Sequence, residues 1–186
     1  DGVNSLLDKS LLQQSDERGS ETRFSMLLTI REYAGECLSR SGDEEIVRRA
    51  HAAYFIVLAE EAAQAKEQSE EWLDRLELEH ENLRLALETL LSTGNAEWAL
   101  RLGVALFRFW DTREHFGEGR DAITRILKLP DSSKHPSLRA RLLFATAVLA
   151  GQQGEFEAAR GMFEQSLNTY IEIGDQQGVA VALNAL

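Results

Sequence analysis

The sequence predicts a mainly α protein: helical hairpins stacked side by side into an α-α superhelix, preceded by a small segment that carries a β-hairpin. Three observations predict it. From residue 43 onward nearly every segment spaces its apolar residues three and four apart, which gathers them on one face of a helix. Sliding the sequence forty residues along itself superposes like residues over its second half. Only Pro130 and Pro136, among 186 residues, can interrupt a helix through ring chemistry. An apolar share of 44% is ordinary for a soluble globular chain, and this length serves one domain or a domain with a subdomain.

The first forty residues carry the strand-like character. "SLLQQS" and "TRFSMLL" are short apolar-polar runs separated by the polar "DERGSE", which reads as a hairpin loop. An isolated two-stranded hairpin is marginal in water, so it is expected to pack on the helix that follows. That helix is "TIREYAGECLSR", with Ile30, Tyr33, Ala34 and Leu38 on one side. Next comes "DEEIVRRAHAAYFIVLAEEAAQAK", with Asp43 placed to cap its start and Glu44 and Glu45 suited to the positive helix end. "SEEWLDRLELEHENLRLALETLLSTG" reads as one further helix. Ser69 is its cap, Trp72, Leu73, Leu76, Leu83, Leu87 and Leu90 are its buried stripe, and Gly94 is its left-handed stop. The two helices are expected to form an antiparallel pair.

From residue 95 the repeat takes over. The forty-residue shift brings "HFGEGRDAITRIL" under "EFEAARGMFEQSL": Phe116 meets Phe156, Gly119 meets Ala159, Arg120 meets Arg160 and Leu127 meets Leu167. It also sets Arg101 and Leu102 on Arg141 and Leu142, Ala105 on Ala145 and Ala185, and Leu143 on Leu183, so a third unit begins near Asp175. A period of this size marks an array in which each hairpin buries its apolar face against its neighbour. Gly119 and Ala159 are small where two helices must approach closely, and Phe116 and Phe156 are expected to fill the space beside that contact. Losing a buried phenylalanine ring typically costs about 3 to 5 kcal/mol.

Composition excludes several classes. Cys37 is the single cysteine, so no internal disulfide forms, which suits a reducing, cytoplasmic setting. The longest apolar run, "AAYFIVLA" at residues 52–59, is far short of the ~20 residues that cross a bilayer. The net charge is −11, and residues 43–93 carry most of it, with 13 acidic against 5 basic groups. Nucleic acid and anionic lipid would be repelled there. The chain starts without Met and stops inside a helical pattern, and we read it as a segment of a longer protein.

The catalytic and metal candidates are weak at this level. Glu77-x-x-His80 has the spacing of carboxylate-bridged metal bundles, but such sites need a second motif of the kind and the sequence contains no other Glu-x-x-His. No metal is therefore expected, and His80, Asn82 and Arg84 are read instead as a hydrogen-bonded junction between helices. His51, His115 and His135 have no nucleophile phrase beside them. Adjacent acids such as Glu60-Glu61 and Glu70-Glu71 point about 100° apart on a helix and read as solvated surface. The expectation is a segment with no catalytic residues and no cofactor.

A family resemblance enters on particular residues. Ala147, "GEFEAA" at 154–159, Phe163 and Leu167 resemble a tetratricopeptide repeat, with a period of forty rather than the usual 34. "LLDKSLLQQ", "RFSMLLTIREYAGECL", "RRAHAAYFIVLAEEA", "WLDRLELEHENLRLAL" and "ALRLGVALFRFW", in this order, resemble the region after the nucleotide-binding core of bacterial signal-transduction (STAND) ATPases. Those proteins join an NB-ARC-like ATPase, a winged-helix subdomain and tetratricopeptide repeats, often with a LuxR-type DNA-binding regulator domain. The resemblance covers essentially the whole chain. It implies that residues 1–42 end the winged helix, with the hairpin as wing, that 43–94 are a linking helical hairpin, and that 95–186 are tetratricopeptide-like repeats.

It also implies function. The segment would be a regulatory, protein-interaction scaffold for signal transduction and transcription regulation. Its first helices would line a concave groove for a protein or peptide segment, for the parent's own ATPase domain or for a small effector, with no membrane partner. Arg101 and Arg108 lie seven apart on one face and Arg141 repeats Arg101; the resemblance adds Phe144, Val148, Gln152 and Asn184. Arginines beside Phe144 suit an acidic, aromatic segment, because guanidinium pairs with carboxylates and stacks on rings. The competing reading pairs these arginines with acids such as Asp111 or Glu97. "DKS" at residues 8–10 ends like a phosphate-binding loop but has Asp8 and Val3 where glycines belong, so ATP and Mg²⁺ are expected only in an upstream domain of the parent. The alternative function is a nucleic-acid-binding module that uses the hairpin wing. Arg18, Arg23 and Arg31 would reach phosphates there, although Asp16, Glu17 and Glu21 offset them, and DNA contact is expected only through other domains of the parent.

Overall fold

A computed structural model describes residues 2–15, 22–65 and 70–186. The protein is mainly α, with ten α-helices and one two-stranded hairpin among the described residues. The chain divides into two compact units, Asp1–Val47 and Arg48–Leu186.

The first unit contains α1 (Gly2–Asp8), β1 (Gln13–Ser15), β2 (Arg23–Ser25) and α2 (Leu28–Ser41). β1 and β2 are antiparallel with Gln14 opposite Phe24. The predicted hairpin is present, with strands shorter than the apolar runs suggested; its predicted loop, 16–21, lies outside the described residues. α1 was not apparent in the sequence, because seven residues are too few for a periodic stripe. The predicted face of α2 needs correction. Ile30 and Leu38 are half-buried, but Ala34 is exposed and Tyr33 is 64% exposed, and no described residue of α2 is buried. α2 ends on Gly42, which takes the left-handed conformation that a side chain disfavours.

The second unit begins in α3 (Glu44–Gln64), whose Ala52, Phe55, Ile56, Ala59 and Ala62 recur at helical spacing on its buried face. The single helix predicted from Ser69 to Gly94 is two, α4 (Glu70–Leu78) and α5 (His80–Ser92), and Ser69 itself lies outside the described residues. At the break Glu79 adopts φ −96° and ψ 5°, and the Asn82 side-chain amide donates to its carboxylate at 2.6 Å. The apolar periodicity runs across the break undisturbed, so residue spacing alone gives one helix. Gly94, with φ +69°, stops α5 as expected.

After Gly94 the forty-residue period is visible in the element starts. α6 (Ala96–Thr112), α8 (Pro136–Gln152) and α10 (Gln176–Ala185) begin forty residues apart, as do α7 (Phe116–Leu127) and α9 (Phe156–Ile173). α6 packs on α7 and α8, α8 along α9, and α9 on α10. Leu102, Leu142 and Ala182, at one register position, are all fully buried. Two of the three first helices are capped by a side chain at the same register position, Asn95 accepting from the Trp98 N–H and Asp175 from the Gly178 N–H, whereas His135 before α8 makes no such bond. The second helices differ. Pro130, which lacks the N–H a helix needs, opens a short 3-10 turn (Pro130–Lys134) after α7, and Arg139 and Ser132 donate to the freed Leu127 carbonyl. Tyr170 occupies the Pro130 position one unit later, so α9 runs on.

Small residues set the helix separations. A Cβ on Gly119 would come within 2.9 Å of Leu149 and 3.0 Å of Trp110, and one on Gly103 within 2.8 Å of Ile126. Ala159, the counterpart of Gly119, is buried. The expectation for the two phenylalanines is corrected in part. Phe116 is half-buried against the larger core cluster, but Phe156 is 73% exposed and belongs to neither cluster. The start of α7 is tied to α4 and α5 through His115 with Glu77 and Glu118 with His80, whereas the start of α9 is tied through Glu155 to Arg120 of α7.

Candidate functional site

α6, α8 and α10, the first helices of successive units, flank a groove of about 490 Å³. α6 contributes Val104 and Phe107, α8 contributes Ser137, Arg141 and Phe144, and α10 contributes Gly178 and Val181. Tyr170 of α9 and Asp175 close one end. Ser137, Arg141 and Phe144 lie four and seven apart on α8 and so share one side of it, and Val181 stands forty residues after Arg141 on α10. A Cβ on Gly178 would overlap the Tyr170 ring, so the absence of a side chain there lets α10 lie on α9. Burial pushes the Tyr170 hydroxyl above its usual pKa, opposed by the Ser166 hydroxyl and the nearby Arg141 charge.

The residues singled out from the sequence fall in two groups. Arg141 and Phe144 line the groove, with the Phe144 ring edge-on to Phe163 at 5.2 Å. Arg141 makes no ion pair among the described residues. The register explains it: the acid that engages Arg101 is Glu60, and the position forty residues after Glu60 is the buried Leu100. Val148 is half-buried further along α8, and Asn184 is exposed near the end of α10. Gln152 donates to Asp111 at 3.2 Å.

Arg101 and Arg108 sit elsewhere. Arg101 grips Glu60 of α3 with Nε and Nη2, both at 2.7 Å, and its guanidinium holds the Glu60 carboxyl below the usual range. Its partner is thus an acid of α3, with Glu97 adding a weaker attraction. Arg108 is exposed on α6 beside Ala62, Trp72 and Leu73. At the hairpin, Arg31 is exposed on α2, while Arg18 and the acids Asp16, Glu17 and Glu21 lie outside the described residues.

Sequence reasoning missed the ion pairs between units. Arg125 of α7 grips Glu88 of α5, Arg120 grips Glu155, and Arg113 meets Glu70 and Asp74. Each joins residues 35 to 43 apart, close to one period, so opposite charges about one repeat apart were the available signal. His80, Asn82 and Arg84 do form a polar junction: His80 bonds Glu118 of α7 at 2.8 Å, Asn82 bonds Glu79, and Arg84 lies near Glu81 and Glu118.

Comparison with known proteins places this geometry in context. The whole chain is similar, at 31% identity over 195 aligned positions, to proteins named as HTH-type transcriptional regulators in Mycobacterium tuberculosis (Rv0890c and MT0914) and Mycobacterium bovis (Mb0914c). The chain spans about a fifth of the length of these relatives (22%). No family model and no solved structure matches it. No helix among the described residues is long and apolar enough to cross a membrane.

Proposed function

We propose that this chain is a regulatory, protein-interaction segment of a bacterial signal-transduction ATPase or transcriptional regulator, in which tetratricopeptide-like repeats receive an acidic, aromatic segment of a partner protein or of the parent's own ATPase domain. The observation that carries this reading is Arg141. It is a cation with no ion pair among the described residues, set in a groove that it shares with the apolar Val104, Phe107, Phe144 and Val181 and with Tyr170, Ser137, Gln177 and Asp175. Guanidinium and aromatic faces together select carboxylates next to rings.

The relatives' names support the regulatory setting, and the forty-residue recurrence of element starts supports the repeat reading. In the parent, ATP and Mg²⁺ would be handled upstream, in a cytoplasmic protein. Partner binding would act by favouring one of two states of that protein through differential affinity. Fluorescence anisotropy tests the groove, with a labelled pool of peptides rich in Asp, Glu, Phe and Trp. Saturable binding that Arg141→Glu reduces at least tenfold supports the proposal; equal binding by the wild-type and substituted chains overturns it.

A further inference from the structure

A second cluster, sharing no residue with the groove, joins Glu77, His80, His115 and Glu118. Glu77 lies in the last turn of α4, His80 opens α5, His115 precedes α7 and Glu118 is in its first turn. The Glu-x-x-His motif, incomplete as a sequence feature, meets its reversed copy, His-x-x-Glu, thirty-eight residues on. His80 Nε2 is 2.8 Å from Glu118 Oε1, and His115 Nε2 is 3.2 Å from Glu77 Oε2. The two imidazole centroids are 4.6 Å apart, and Phe109 lies against both rings. One ligating atom from each of Glu77, His80 and His115 falls within 4.8 Å of the other two. The two histidines and Glu118 are no more than 31% exposed, while Glu77 is 46% exposed and faces the cluster from the solvent side.

We propose that this cluster is a metal site for a divalent transition ion, best matched by zinc, held by His80, His115 and Glu77 with Glu118 completing the set. Imidazole and carboxylate are zinc's usual nitrogen and oxygen donors, and two histidines with one glutamate form a known kind of three-ligand set. With bonds of about 2.0 to 2.2 Å, two ligands on a tetrahedral ion sit roughly 3.3 to 3.5 Å apart. The His115–Glu77 separation nearly meets that, and the remaining ligand atoms need side-chain shifts on the order of 1 Å. Two carboxylates neutralise a dication, and each neutral imidazole supplies a lone pair. The bound ion would clamp α4, α5 and α7 together at the Glu79 break, where the helices before the repeats meet the first repeat. This revises the expectation that Glu77 and His80 hold no metal.

The test is calorimetric titration of the metal-stripped 186-residue chain with Zn²⁺, paired with Co²⁺ absorption. One ion per chain is expected, with the visible spectrum of a four-coordinate cobalt centre. His115→Ala, Glu77→Gln and Glu118→Gln should each weaken zinc at least tenfold, because each removes one ligand from the set. His135→Ala should change nothing. Circular dichroism of the metal-free variants shows whether each is folded, and the cobalt spectrum of the unsubstituted chain decides the matter should a variant fail to fold. Absence of saturable binding, or binding untouched by both His115→Ala and Glu77→Gln, would overturn the proposal.

Discussion

Arg101 and Glu60 meet in a two-pronged ion pair, Nε to Oε1 and Nη2 to Oε2 at 2.7 Å each, that ties α6 to α3. The Glu60 carboxyl is held below its usual pKa by this hydrogen bonding, and Glu88 is held down in the same way by Arg125. A carboxylate whose folded pKa is depressed stabilises the fold fully above its unfolded value, near 4.3, and loses that contribution as pH falls through the folded value. Thermal melting between pH 6 and pH 3 should therefore show stability falling below about pH 4.3, with a shallower fall in Glu60→Gln. The substitution itself should cost on the order of 1 kcal/mol at neutral pH, since both side chains remain partly solvated. An identical acid limb in the two proteins would remove Glu60 from the account.

Gly119 and Gly161 make a matched pair. Both are helical, but a Cβ at Gly119 would press on Leu149 and Trp110, whereas one at Gly161 meets nothing within 4 Å. Gly119→Ala should destabilise by about 1 to 3 kcal/mol through overpacking. Gly161→Ala should stabilise by roughly 0.5 to 1 kcal/mol through reduced chain entropy and better helix propensity. Urea denaturation of the two variants measures both signs.

Glu114 and Gly154 occupy equivalent turns, between α6 and α7 and between α8 and α9, and both are left-handed, with φ +60° and +81°. Glu114 bears a side chain in a conformation that costs roughly 1 to 2 kcal/mol for L-residues. Glu114→Gly is expected to raise the melting temperature and Gly154→Ala to lower it. Calorimetry showing the opposite order would contradict the strain argument.

Phe116 and Phe156 share a register position and differ in burial. Phe156→Ala should change stability by no more than about 0.5 kcal/mol, as surface substitutions do. Phe116→Ala should cost about 1 to 3 kcal/mol, below the full-burial figure because the ring is only half-buried. Chemical denaturation of each variant distinguishes the two positions.

These pairs show how much of the architecture could be read from residue order. Helix periodicity is local, so the buried faces of α3, α6 and α8 follow from spacing, and the recurrence of Leu102 at Leu142 reveals the repeat before any coordinates do. Gly119 is legible for the same reason, because its counterpart Ala159 is also small. Contacts between units are not local. The grip of Arg101 on Glu60, the meeting of Glu77 and His80 with His115 and Glu118, and the exposure of Phe156 depend on how successive layers are offset, which no spacing within one helix reports. The break at Glu79 was hidden because the apolar stripe continues through it. In the groove, Arg141 and Phe144 could be placed on one face from sequence. That Arg101 pairs with α3 while Arg141 finds Leu100 at the corresponding place needed the three-dimensional register.

The central claim is that the face shared by α6, α8 and α10 receives an acidic, aromatic segment. Hydrogen–deuterium exchange of the chain, with and without a saturating peptide chosen from the acidic, aromatic pool, tests it most directly. The account predicts added protection concentrated in residues 137–144 of α8 and 176–182 of α10, and its loss in Arg141→Glu. Protection confined to other helices, or persisting in that variant, would contradict it.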